Sequence, residues 1–215
     1  KQKTAYEIGV RLVGSEMCIR DRDHPGREEI IESYDTDYDS VISDLQNNIP
    51  DNKSIWYQKH MAQHIDPTDN LKWTNSFLNC LLIRNPNEVI PSFLQKSSIT
   101  DSDALGYSQQ LRLLQYHDYK IPTVDAKDIL LNPKSMLTKI CSFFKIEFEK
   151  EMLFWNQGPH PQDGIWGKYW YDRLWESTTF STYKENTSFV DDQYKDLLEK
   201  CTIIYNELYK YRIRP

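Results

Sequence analysis

Arg84, Asn85 and Pro86 stand together at the end of an apolar run, and Ser92 follows about two helical turns later. A guanidinium chelates a phosphate through two parallel N–H bonds, and a serine hydroxyl adds a further donor. Asparagine as a cap with proline at the first helical position opens a helix, whose unpaired N–H groups favour an anion. The segment LLIRNPNEVIPSF, residues 81–93, therefore reads as a candidate anion site at a strand end. The same residues also fit a strand-end salt bridge, Arg84 to Glu88 or to an aspartate, with Ser92 facing solvent.

Other spacings are weaker. His60 and His64 have the separation of two zinc-binding imidazoles on one helical face, but Met61 stands where metalloprotease chemistry needs a glutamate. Asp35-Thr36-Asp37-Tyr38-Asp39 begins like a calcium loop, yet Ser40 and Gln46 occupy the positions that require glycine and glutamate. No metal is expected, and the acidic run reads as a helix entrance. Trp155, Trp166, Trp170 and Trp175 cluster in and after a Gly/Pro-containing loop, as an acceptor-binding wall or as core.

The elements that must position these residues alternate in type. Residues 37–48 read as a helix ended by Pro50, and Ser54–Lys59 as a short strand. Ser76–Ile83 is nearly continuous apolar sequence, as expected of a parallel strand covered on both faces. Helices are predicted from Asn85-Pro86, across Asp103–Tyr119 with Ser102 or Asp103 as cap, from Asn132-Pro133 to about Lys145, and across Val190–Tyr211. Ile121–Asp125 is a further strand, and Trp155–Gly167 is loop. Strands alternating with helices predict an α/β domain with a parallel sheet.

Composition bounds the function. The chain has 215 residues, 39% of them hydrophobic, with no apolar run long enough to span a membrane. A net charge of -6 disfavours a nucleic-acid coat, while leaving room for a local basic pocket. The four cysteines lack CxxC spacing and point to neither a zinc ribbon nor a disulfide scaffold, so a reducing cytoplasm is expected. No glycine falls between Gly26 and Gly106, which is unusual for a nucleotide site built on a glycine-rich loop. From Leu12 to Asp21 the sequence agrees, residue for residue, with the translation of a transposase adapter used in DNA library preparation. Residues 1–22 are accordingly set aside as assembly-derived, and the natural domain is expected over 23–215 with its amino-terminal part missing.

Arg84-Asn85-Pro86 with Val89 and Ser92 resembles the 3′-phosphate-binding strand and helix of sulfotransferases that use 3′-phosphoadenosine 5′-phosphosulfate. SIWYQKHMAQHI resembles the preceding strand of that family, which ends in a lysine and a histidine, here Lys59 and His60. VDAKDILLNPKSMLTKICSFFKI is similar to its next strand and helix, and Trp155–Tyr183 to the tail of a bacterial sulfotransferase-like group, of which one type occurs fused to aminotransferases.

The resemblance implies a P-loop-type parallel sheet flanked by helices. It also implies transfer of a sulfuryl group from the nucleotide to a hydroxyl or amine of a small-molecule acceptor, without metal, nucleic acid or membrane. Arg84 and Ser92 would hold the 3′-phosphate. His60 would take the acceptor proton, with His64 as runner-up, and Lys59 would stabilise charge on the leaving phosphate. The family's phosphosulfate loop, which follows its first strand, should lie just upstream of Asp23. First strand and loop are both expected to be lacking, and activity to be impaired. Lys168 and Arg173 are weak stand-ins for the family's basic carboxyl-terminal segment. A P-loop kinase, or a binding module that kept the fold and lost the donor site, are the alternatives.

Overall fold

In a computed structural model, residues 8–12, 26–47, 49, 53–99, 101–160, 163–165, 167–185 and 189–215 are described. They divide into two compact units, one drawn from residues 1–64 and 149–179, the other from 65–148 and 180–215. No helix among the described residues is long and apolar enough to cross a membrane.

In the first unit, β1 (Ile8–Leu12) runs parallel to β2 (Ile55–Lys59), with Ile8 opposite Ile55 and Leu12 opposite Lys59. This corrects the expectation that the sheet lacks a first strand. Ile8, Val10 and Leu12 alternate with period two in the sequence, as a strand requires, and the backbone of 8–12 pairs with β2. The two strands share direction, so their carboxyl ends lie side by side. Helix α1 (Arg27–Ser33) was not foreseen, because its sequence is polar and only Ile30 is sealed, packing with Tyr34, Ile165 and Trp170. Helix α2 (Tyr38–Gln46) starts where predicted, since the Asp37 carboxylate accepts from the Ser40 N–H. The Gln58 side-chain amide donates to the Leu45 carbonyl at 3.1 Å and so ties β2 to α2.

The second unit holds β3 (Leu81–Ile83) parallel to β4 (Thr123–Asp125), with Ile83 opposite Asp125. β3 is shorter than the apolar run that announced it. Residues 71–76 close into a 3-10 turn instead, and Leu78 and Leu82 are 77% and 56% exposed, so the strand is not covered on both faces. Asn85 caps α3 (Pro86–Leu94) by accepting from the Asn87 N–H at 3.0 Å. Asn85→Ala should cost about 1 kcal/mol, seen as a melting temperature lower by about 2–4 °C; an unchanged melting curve would deny the cap any role.

The helix predicted from Asp103 is divided. A 3-10 turn capped by Asp101 leads to Gly106, whose φ of 76° few other residues adopt, and only then does α4 (Tyr107–Tyr116) begin. Asp125 caps α5 (Ala126–Leu131), and Asn132 caps α6 (Pro133–Phe144), which buries Met136 and Cys141 of its predicted face. Two short helices of the first unit, α7 (Gly167–Trp170) and α8 (Asp172–Trp175), follow the loop, and α9 (Lys195–Lys210) closes the second unit. Leu81, Ile83, Leu114, Ile121 and Leu208 form the core that joins β3 to α4 and α9. Beyond α9, Arg212 bridges Thr123 in parallel, and the Ile213 N–H donates to the Thr123 carbonyl, extending the sheet past β4.

Candidate functional site

Lys59 and His60 belong to the first unit, Arg84 and Ser92 to the second. Parallel α/β sheets bind ligands at the carboxyl ends of their strands; Lys59 ends β2 and Arg84 follows β3, while Ser92 lies in α3.

Arg84 leaves the carboxyl end of β3. Its Nε donates to Glu88 Oε2 at 3.0 Å, with the arginine side chain 44% and the glutamate side chain 10% exposed. The salt bridge foreseen as one alternative is thus formed. It engages only Nε, and no described residue bonds the two terminal nitrogens, which form the edge that chelates an oxyanion. The Arg84 carbonyl accepts from the Tyr107 hydroxyl at 2.7 Å, and burial pushes the Tyr107 phenol upward, keeping it a neutral donor. Ser92 lies one turn beyond Glu88 on α3 and is half-buried, so it shares the helix face to which Arg84 is tied.

Four further residues at this end, Tyr183, Lys127, Asp125 and Tyr205, carried no local signal in the sequence. Tyr183 donates to Glu88 Oε1 at 2.6 Å, so that both oxygens of this carboxylate are occupied. That bond raises the Tyr183 phenol to about 12. The Lys127 ammonium sits 5.0 Å from the centre of the Tyr183 ring, and Asp125, fully buried, accepts from Tyr205 and from the Lys127 N–H. Glu88 alone was legible, as the residue one turn from Arg84.

In the first unit His60 Nε2 lies 3.1 Å from Gln58 Oε1. The amide nitrogen of Gln58 donates to Leu45, so its oxygen faces the imidazole, and His60 Nε2 must be the donor. Neutral His60 therefore carries its basic lone pair on Nδ1. Lys59 Nζ lies 5.6 Å from the centre of the Tyr171 ring, and desolvation lowers its ammonium below the ordinary lysine value. His64 ends a 3-10 turn, not the α-helical face that zinc spacing presupposed, and no cluster of three or more metal-binding side chains exists among the described residues.

The described tryptophans of the aromatic loop are half-buried and engaged within their own unit. Trp155 donates to Ser177 Oγ at 3.1 Å, Trp175 to Asp163 Oδ2 at 2.7 Å, and Trp170 packs on Ile30; Trp166 lies outside the described residues. Lys168 is paired with Glu29 at 2.5 Å. The segment expected to hold a phosphosulfate loop also lies outside the described residues. A depression of about 390 Å³ lined by Asp69, Asn70, Leu71, Arg112, Gln115 and Tyr116 contains none of the predicted site residues, and its Arg112 guanidinium is bound to the carbonyls of Asp66 and Asp69.

Comparison with known proteins identifies the family. A family described as a sulfotransferase domain matches residues 13–212. Branched-chain-amino-acid aminotransferase-like proteins 2 and 1 of Arabidopsis thaliana are each 29% identical over 194 residues, which is 86% of this chain and 34% of theirs. The chain thus spans about a third of the length of these relatives. The solved sulfotransferase domain from the curacin biosynthetic pathway superposes with a TM-score of 0.52 at 15% identity, over 94% of this chain and 79% of that one, a likeness of fold.

Proposed function

The chain belongs to the sulfotransferase domain family, and from that membership we propose that it moves a sulfuryl group from 3′-phosphoadenosine 5′-phosphosulfate to a hydroxyl or amine of a small acceptor. The observation that carries the donor assignment is Arg84, held by Nε at a strand end with its chelating edge open. A carboxylate that neutralised the whole guanidinium would have argued against an anion there. Ser92, on the same helix face, adds a hydroxyl donor.

The donor supplies a sulfuryl group on a phosphate leaving group, and the protein supplies proton transfer and charge. Attack by the acceptor oxygen or nitrogen forms the new bond to sulfur as the bond to the 5′-phosphate oxygen breaks. His60 Nδ1 takes the acceptor proton, with Gln58 fixing the tautomer that leaves this nitrogen basic. Lys59 stabilises the charge that gathers on the departing phosphate, and desolvation lowers its pKa below that of an ordinary lysine. The activity should therefore decline at a pH below that of an ordinary lysine. The reduced cysteines Cys80, Cys141 and Cys201 suit a reducing compartment, the cytoplasm.

Residues 12–22 stand, on this reading, where the phosphosulfate loop belongs. The gene, sequenced directly from genomic DNA, should encode upstream of Asp23 a segment with a basic residue among Ser, Gly or Thr. The decisive assay follows release of 3′-phosphoadenosine 5′-phosphate with phenol, alcohol and amine acceptors, using the chain with that genomic segment. Sulfated product with at least one acceptor class is expected. Absence of both turnover and binding of the nucleotide product would sink the reading.

A further inference from the structure

Glu88 is a buried carboxylate in contact with an arginine that should bind an anion. A negative charge in that place weakens anion binding unless it does something else for the site. Its bonds point to a role: Oε2 accepts from Arg84 Nε and Oε1 from the Tyr183 hydroxyl, so that each carboxylate oxygen has its own partner. A guanidinium bonded through Nε is fixed in rotation and presents Nη1 and Nη2 outward, as bidentate recognition requires. Tyr183 is itself held through its ring by Lys127, which follows β4 as Arg84 follows β3. The chain from Lys127 through Tyr183 and Glu88 to Arg84 therefore spans both strand ends of this unit.

We propose that Glu88 and Tyr183 are positioning residues that hold the Arg84 guanidinium with its chelating edge toward the 3′-phosphate of the donor. This inference rests on the donor assignment above. A purely electrostatic role for Glu88 predicts the opposite sign, since removing its charge would then tighten anion binding.

The test is an NMR titration of the full chain, in which weak binding is measurable, with 3′-phosphoadenosine 5′-phosphate and with adenosine 5′-monophosphate, which lacks the 3′-phosphate. Wild type should prefer the former. Tyr183→Phe and Glu88→Gln should each reduce that preference by about 3- to 10-fold, with binding of the monophosphate unchanged as the control for folding. A wild type with no preference overturns the donor assignment itself. A wild-type preference that survives both substitutions, or rises in Glu88→Gln, overturns the positioning role alone.

Discussion

Replacing His60 by alanine should lower kcat for sulfuryl transfer by about 10²- to 10⁴-fold while the donor KM stays nearly constant. On the proposed mechanism the imidazole would act on the acceptor proton as the new bond forms, so its loss would be felt in the transition state and little in donor binding. His60→Gln is the informative companion. It retains a polar side chain next to Gln58 but has no basic nitrogen, and should be as slow as alanine. Gln58→Ala should give a smaller loss, because without that acceptor the imidazole is free to place its proton on Nδ1 and turn the basic nitrogen away. Equal kcat in His60→Ala and wild type would remove the base from His60. His64 would then be the next residue to replace.

Arg84→Ala should raise the donor KM by about 10- to 100-fold, the equivalent of losing charged hydrogen bonds worth about 1.5–3 kcal/mol. Affinity for adenosine 5′-monophosphate should hardly change. The substitution also leaves Glu88 with Tyr183 as its remaining bonded partner, so a melting curve must accompany the kinetics. Arg84→Lys separates the two effects. It restores a cation for Glu88 but not two parallel N–H bonds, and should recover stability more fully than donor affinity. Donor binding by Arg84→Ala as tight as by wild type would place 3′-phosphate recognition elsewhere.

The sequence was most readable where one residue decides a local geometry. Asp37, Asn85 and Asn132 cap helices through their own side chains, and proline at the first position marks two of these starts. Strand lengths were less readable, because an apolar run records burial and not ladder partners. Phe77 to Cys80 precede β3 without joining it, whereas the pairing of Ile8–Leu12 depends on β2, far along the chain. The site followed the same division. Arg84 and Ser92 are local to one strand and helix. Tyr183 reaches Glu88 from a segment that nothing near Arg84 in the sequence announces, and the tautomer of His60 is set by a carbonyl of α2.

The brevity of β3 also bears on how such a site can change over generations. With so short a ladder, Arg84 takes its aim from what lies under the strand, where Leu81 and Ile83 rest on Leu114 and Leu208. A change in side-chain volume at position 208, near the end of the last helix, should therefore shift the strand and the base of Arg84 without touching it. Donor preference, on the proposed reading, would then be inherited through the core as well as through the contact residues.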